Sequence, residues 1–128
     1  MTKNKPIIIT DPFPRTMDIL FSRKNLKYLK NNFNLIKAPK INKKKFYKKY
    51  LPNADYIIGQ PNLPNELIKQ QTKLKAIFNV ESNFMDNMDY DYCFKNNIHV
   101  LATSPVFAQP VAEMALGLTL SIARSIHI

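Results

Sequence analysis

Short apolar runs alternate with longer segments of helical periodicity along the whole chain. Five of the runs predict strands, at residues 7–10, 34–36, 56–59, 74–80 and 99–102. Runs this short and rich in β-branched residues are typical of strands buried on both faces of a parallel sheet. The first run, an Ile triplet followed by Thr10, ends at the turn signal Asp11-Pro12-Phe13-Pro14.

The segments between these runs place apolar residues on one side and polar residues on the other. They predict helices over residues 17–33, 42–51, 65–71, 86–96 and 110–126, the first with room for a break. Asp86 is the expected N-cap of the fourth helix, and Asn97 is the expected left-handed residue after it. Pro110 fits the first turn of the last helix.

Strands that alternate with helices predict an α/β fold with right-handed crossovers. We expect a flavodoxin-like, parallel five-stranded sheet in the order 2-1-3-4-5, with helices on both faces. Ligands of such sheets bind outside the carboxyl ends of the strands. The candidate loops are therefore residues 10–12, 59–61, 80–84 and 104–109, which should share one edge.

The last predicted helix is apolar around nearly its whole circumference. Its apolar residues are Val111, Ala112, Met114, Ala115, Leu116, Leu118, Leu120, Ile122 and Ala123. A helix of this kind is normally buried on all sides, whereas one sheet face covers a single side. The pattern predicts that a second partner packs against this helix.

Composition fits a globular domain with an uneven charge. Hydrophobic residues make up 45% and charged residues 22%, and the net charge is +10. Residues 1–50 hold 14 Lys and Arg against Asp11 and Asp18, so the excess is regional. The lysines of residues 37–49, interleaved with Phe46, Tyr47 and Tyr50, could mark an RNA or anionic membrane contact. A solvated helix face over core aromatics is the favoured interpretation.

Several function classes are excluded by what the sequence lacks. Cys93 is the single cysteine, so no disulfide forms within the chain, and we expect it to be a small buried hydrophobe. With only His99 and His127, we expect no metal site and no histidine base. We find no signal peptide and no stretch apolar enough to span a bilayer, which favours a cytoplasmic protein without a membrane contact.

Residues 74–124 carry an ordered set of motifs. They are Asp86-Asn87-Met88-Asp89, the step into a strand at Asn97-Ile98-His99-Val100, Ser104-Pro105, and Val111-Ala112-Glu113 leading to Ala123-Arg124. In order and spacing they resemble the D-2-hydroxyacid dehydrogenase family, whose members transfer hydride between NAD and small 2-hydroxy or 2-oxo acids. The resemblance implies an oxidoreductase, and before residue 74 it rests on the strand and helix alternation.

The resemblance also implies a division of the chain into domains. Residues 1–109 correspond to the family's substrate domain, and residues 110–128 to the start of an interdomain helix that leads to a dinucleotide-binding domain. The chain has only Gly59 and Gly117, so it contains no G-x-G-x-x-G turn for a pyrophosphate. NAD would therefore be bound mainly by the missing domain. No catalytic residue is expected in this chain, which would be inactive alone, and the complete enzyme would be a homodimer.

One loop of this chain matches the family's substrate site. The family binds the substrate carboxylate with backbone N–H groups of the loop that corresponds to Val80, Glu81, Ser82 and Asn83, with Ser82 in place of a Gly. A solvated turn is the alternative interpretation of these residues. Gln109 corresponds to the interdomain hinge near the nicotinamide and is a candidate cofactor contact, and the alternative is that it only caps a helix.

Two other functions remain open from the sequence. The first is a free-standing flavodoxin-like binding module, which would require a partner to cover the last helix. The second is a basic nucleic-acid-binding domain, a less favoured possibility whose affinity would fall steeply with salt.

Overall fold

The computed structural model describes residues 5–70, 73–81 and 83–126. Its strands are β1 Ile7–Asp11, β2 Asn34–Lys37, β3 Tyr56–Gly59, β4 Ala76–Phe78 and β5 His99–Leu101. All pairings are parallel, and the order is β2-β1-β3-β4-β5. The predicted α/β class and strand order are confirmed.

Six helices connect or follow these strands. They are α1 Met17–Leu20, α2 Arg23–Asn32, α3 Lys43–Tyr50, α4 Asn65–Ile68, α5 Tyr90–Lys95 and α6 Ser104–Ala123. The first predicted helix is divided, and Ser22 caps α2 by accepting a hydrogen bond from the Asn25 amide at 3.3 Å.

The predicted boundaries of the fourth helix are only partly correct. Asp89, not Asp86, is the N-cap of α5, because its Oδ1 accepts a hydrogen bond from the Tyr92 amide at 2.9 Å. Asn97 has a φ of 57°, which confirms the expected left-handed residue after the helix.

One face of the sheet carries the main core. The central strand residues Ile9, Ile57 and Ile77 are fully buried there and belong to one cluster with Tyr47, Leu51, Leu67, Ile68 and Cys93 from the helical side. Burial raises the pKa of the Cys93 thiol to about 11. Cys93 is therefore the buried hydrophobe that the sequence predicts.

The opposite face of the sheet is only partly covered. Next to α2, the Phe33 ring packs edge-on against Tyr56 with 6.3 Å between ring centroids. Farther along this face, Phe78 on β4 is 40% exposed and Leu101 on β5 is 49% exposed. An apolar strip of sheet is thus open to solvent over β4 and β5.

Helix α6 differs from its prediction in both position and packing. It begins at Ser104, with Pro105 in the first turn, and Pro110 lies inside it. Proline at 110 removes one backbone hydrogen bond close to the helix start, which the remaining turns tolerate. No residue of α6 is buried, so it does not lie on a sheet face as expected.

The length and composition of α6 also correct an exclusion made from the sequence. With 20 residues and a mean hydropathy of 1.4, it is long and apolar enough to cross a bilayer. Helices that are buried between domains have the same length and composition. The helix therefore requires an apolar environment, and its composition does not specify which one.

A buried carboxylate connects β1 to α3. Asp11 is 5% exposed, and Lys43 Nζ donates to its Oδ1 at 2.7 Å and to its Oδ2 at 2.8 Å. The Tyr47 hydroxyl donates to Oδ2 at 3.0 Å. Burial and the Asp11 charge raise the pKa of Tyr47. Lys43 is thus an exception to the solvated lysine face that the sequence predicts.

Gly59 allows β1 and β3 to approach each other at the carboxyl edge. Its φ is +149°, and it pairs with Asp11 in the sheet register. A Cβ at this position would lie 2.6 Å from the Asp11 carbonyl carbon and closer still to its oxygen. Only glycine fits here without displacing the backbone of β1.

Replacing Gly59 tests this close approach. Gly59→Ala should lower the free energy of unfolding by about 3 kcal/mol or more, because it combines a backbone clash with an unfavourable φ. Gly117→Ala is the matched control: a Cβ at that position would have no atom within 4 Å, and alanine should stabilise the helix by up to about 1 kcal/mol. Urea unfolding of both variants measures the difference, and equal stabilities would refute the constraint.

Lysine substitutions on α3 test the buried carboxylate. Lys43→Met should lower the free energy of unfolding by about 2 kcal/mol, because it leaves the Asp11 carboxylate buried without a cation. The loss is limited because the Lys43 side chain is 37% exposed and the pair is partly screened by water. Lys45→Met on the exposed side of the same helix should change stability by less than about 0.5 kcal/mol. If the two variants unfold at the same urea concentration, the ion pair does not stabilise the fold.

The exposed surface of α6 predicts association of the isolated chain. Leu116, Leu118 and Leu120 are 61%, 59% and 54% exposed, and burying such side chains is worth about 1.5–3 kcal/mol each. Sedimentation should therefore show dimers or larger species, and Leu116→Gln with Leu120→Gln should shift them toward monomer. A monodisperse wild-type monomer with α6 protected from hydrogen exchange would contradict this expectation.

Candidate functional site

The loops at the carboxyl edge of the sheet are joined to one another by side chains. Arg15, in the loop after β1, pairs with Glu81 in the loop after β4, with 3.1 Å between Nε and Oε1. Gln60, directly after β3, donates from Nε2 to the Asn83 carbonyl oxygen at 2.7 Å. The loop of residues 80–83 is therefore anchored by both neighbouring loops.

The charge of Glu81 is offset by Arg15. The Arg15 side chain is 49% exposed and that of Glu81 is 33% exposed, so water partly screens the pair. The hydrogen bond to Glu81 and its negative charge raise the pKa of Arg15. Arg15 has no predicted role from the sequence, although its position just after the first strand places it beside a predicted ligand loop.

A tyrosine holds the following part of the same loop. The Tyr90 hydroxyl lies 2.8 Å from the Met85 carbonyl oxygen and 2.6 Å from Asn87 Oδ1. Asn87 in turn donates from Nδ2 to the Pro61 carbonyl oxygen at 2.8 Å, and the Phe84 ring packs 4.9 Å from that of Tyr90. Burial is the main cause of the raised pKa of the Tyr90 hydroxyl. These contacts fix the loop between β4 and α5 against the loop after β3.

Two amide side chains at this edge have unused hydrogen-bonding capacity. Asn79, the first residue after β4, is 4% exposed, and neither its Nδ2 nor its Oδ1 has a hydrogen-bond partner of good geometry within the described chain, although its interaction with the nearby Tyr90 hydroxyl acts to lower the pKa of that tyrosine. The Oε1 atom of Gln60 is likewise buried without one. Unpaired buried polar atoms are rare in folded proteins and are commonly satisfied by water or a ligand. No sequence signal distinguishes Asn79 from an ordinary strand-end residue.

The structure brings most of the predicted loop residues to this edge. Val80 and Glu81 are half-buried and Asn83 is exposed, whereas Ser82 lies outside the described residues. His99 begins β5 and so lies at the opposite, amino edge, and His127 lies outside the described residues.

Gln109 is placed differently from the loop of residues 80–83. It is exposed within α6, and its Nε2 donates to Glu113 Oε1 at 2.8 Å. Because α6 begins at Ser104, Gln109 does not cap the helix, which removes the capping alternative. Its suggested contact with a nicotinamide stays a prediction.

The described residues of this edge do not form a turn that could bind a dinucleotide pyrophosphate. Backbone N–H groups of a loop can bind a carboxylate without bringing in a charge of their own. Of the two glycines, Gly59 is occupied by the Asp11 backbone and Gly117 lies in the middle of α6, so neither forms a pyrophosphate turn. Among the described residues there is no group of three His, Cys, Asp or Glu that could hold a metal ion.

Comparisons with known proteins point to one family. No protein-family model matches the chain. Two proteins from different strains of Staphylococcus epidermidis, each named as a 2-hydroxyacid dehydrogenase, are 32% and 31% identical to it over 85 residues. That alignment covers 65% of this chain and 26% of each relative.

Solved structures extend the similarity over nearly the whole chain. A phosphoglycerate oxidoreductase from Rhizobium etli superposes with a TM-score of 0.76 at 40% identity, over 95% of this chain and 38% of that one. An NAD⁺-bound 3-phosphoglycerate dehydrogenase from Entamoeba histolytica gives a TM-score of 0.59 over 91% of this chain and 39% of that one. At 22% identity the latter supports the fold alone. The chain thus spans well under half the length of these relatives, and by sequence and fold together it belongs to the D-2-hydroxyacid dehydrogenase family.

Proposed function

We propose that the chain is the substrate-binding part of an NAD-dependent oxidoreductase that transfers hydride between NAD and a small 2-hydroxy or 2-oxo acid. The observation that carries the proposal is the loop of residues 80–83, which stands at the ligand edge of the sheet and is anchored by Arg15 and Gln60. The 40% identity to the Rhizobium oxidoreductase over this fold supports it.

The loop would bind the carboxylate of the acid through its backbone amides. Glu81 alone would repel such an anion, and its pairing with Arg15 removes most of that repulsion. The bond from Gln60 to the Asn83 carbonyl would hold Asn83 in position before the substrate arrives. Val80, Glu81, Ser82 and Asn83 remain the proposed substrate contacts.

Cofactor binding and proton transfer would depend mainly on a companion dinucleotide-binding domain. On this proposal residues 1–109 form the substrate domain and residues 110–128 lead toward the companion, although the helix α6 itself runs from Ser104 to Ala123. Gln109 would face the nicotinamide, and no catalytic residue is assigned within the chain. The uncovered surface of α6 and the open strip at Phe78 and Leu101 give that companion an apolar surface to cover. A homodimeric, cytoplasmic enzyme is the form we propose.

A domain exchange tests the proposed division of labour. The isolated chain should not oxidise NADH with pyruvate, glyoxylate or hydroxypyruvate, because one wall of a cleft cannot orient both reactants. The same 128 residues, in place of the matching residues of the Rhizobium oxidoreductase, should give turnover with at least one of these acids. NADH absorbance is the measurement. Turnover by the isolated chain, or an inactive but folded and NAD-binding chimera, would refute the proposal.

Variants of the same chimera test the substrate loop. Arg15→Gln should raise KM by about tenfold with little change in kcat, because it leaves the Glu81 charge uncompensated next to the bound anion. Arg15→Gln combined with Glu81→Gln should recover most of that loss, and Lys45→Gln is the control of equal charge change. Equal KM values for all four proteins would show that the loop does not bind the acid.

A further inference from the structure

A second concave site lies on the β1–β2 side of the carboxyl edge. It has a volume of about 890 Å³ and is enclosed by the loop after β1, by α1 and α2, and by the chain that leaves β2 toward α3. Pockets that bind small organic molecules typically measure about 300–1,000 Å³. We refer to this site as the basic groove; Val80, Glu81 and Asn83, the described residues of the loop after β4, do not line it.

The floor of the basic groove is apolar. Met17 from α1, Leu26 from α2, and Leu35 and Ala38 from the β2 region line it, and all four are half-buried. Apolar surface that is held open in a concave site favours a ligand that covers it and releases water. The ligand should therefore have an apolar body.

The rim of the basic groove is positively charged. Five of its lining residues are Lys or Arg and two are Asp, which gives a net charge of +3. Lys43 is engaged by Asp11 and Arg15 by Glu81. Lys30, Lys37 and Lys40 line the groove, are exposed, and take part in no ion pair that the described residues form. They supply a cationic rim that is free to bind an anionic group.

We propose that the basic groove binds a small organic anion whose apolar body covers the floor and whose carboxylate, sulfonate or phosphate group is bound by Lys30, Lys37 and Lys40. An inorganic anion would leave the floor exposed to water, and an uncharged molecule would leave the rim unused. The groove is open to solvent, and among the described residues Arg15 connects it to the loop after β4, because Arg15 lines the groove and pairs with Glu81. The site is therefore separate from the one proposed for the 2-hydroxy acid, and the inference does not depend on that proposal.

Three probe molecules test the contributions of the anionic group and of the apolar body separately. Phenyl phosphate carries both parts, inorganic phosphate only the anion, and benzyl alcohol only the apolar ring. In NMR titrations of the chain that carries Leu116→Gln and Leu120→Gln to limit association through α6, phenyl phosphate should shift the amides of Asp18, Leu26 and Ala38, and it should bind about tenfold more tightly than either of the other probes. Shifts confined to residues 80–83 or to α6, or equal affinities for all three probes, would overturn the proposal.

Lysine substitutions test whether the rim lysines bind the anion or whether the net charge of the chain attracts it. Lys37→Gln with Lys40→Gln should weaken phenyl phosphate binding by about tenfold at low salt. Lys45→Gln with Lys48→Gln removes the same charge from α3, outside the groove lining, and should weaken it by less than about twofold. All four lysines are exposed, so both variants should retain the wild-type circular dichroism spectrum. Equal losses in the two variants would show that the groove does not select the anion.

Discussion

The ligand edge depends on one buried interaction, the pairing of the Asp11 carboxylate with Lys43 and Tyr47. An ionised carboxyl group that is 5% exposed is costly unless it is paired and hydrogen-bonded. Here Lys43 and Tyr47 satisfy the side chain, while the backbone of the same residue lies directly against Gly59. One residue thus fixes β1, β3 and α3 together at the point where the first ligand loop begins.

The loops at this edge take their positions from that junction. Arg15 follows four residues after Asp11 and reaches both the basic groove and Glu81, and Gln60 follows Gly59 and reaches Asn83. Glu81 and Asn83 are therefore held by side chains that lie just after the Asp11–Gly59 contact in the chain. A substitution that removes the partners of the Asp11 carboxylate should therefore shift Arg15 and Gln60, and through them the loop, although neither residue belongs to the core.

Local patterns are enough to predict the sheet, because the central strands β1 and β3 are short, Ile-rich buried runs and the chain switches to helical spacing between successive strands. Helix ends are less well determined. Asp86 and Asp89 are both suitable N-caps by type, and the structure uses Asp89 because the residues between them form the turn that Tyr90 holds. Pro105 and Pro110 both suit a first turn, and only the first of them occupies it.

The partners of the site could not be predicted in the same way. Arg15 and Glu81 are 66 positions apart, and Gln60 and Asn83 are 23 apart, so no periodicity connects them. In the sequence Lys43 cannot be distinguished from its neighbours Lys44 and Lys45. It pairs with the buried Asp11 only because of the orientation of α3 in the fold. The family resemblance selected the loop of residues 80–83 as a candidate, but the ion pair between Arg15 and Glu81 follows only from the three-dimensional arrangement.

The uncovered apolar surfaces connect the fold to the proposed activity. Helix α6 begins three residues after the end of β5, so it leaves the sheet at the same edge as the substrate loop. At about 25 cal/mol per Å² of apolar surface, covering several Leu-sized side chains of α6 would contribute several kcal/mol, comparable with the stability of a small domain. On the proposal above, a companion domain that gains this energy by covering α6 would lie at the carboxyl edge of the sheet, from which the helix starts. The same apolar surface that is exposed in this chain would thus set the second wall of a cleft beside the loop that we propose binds the acid.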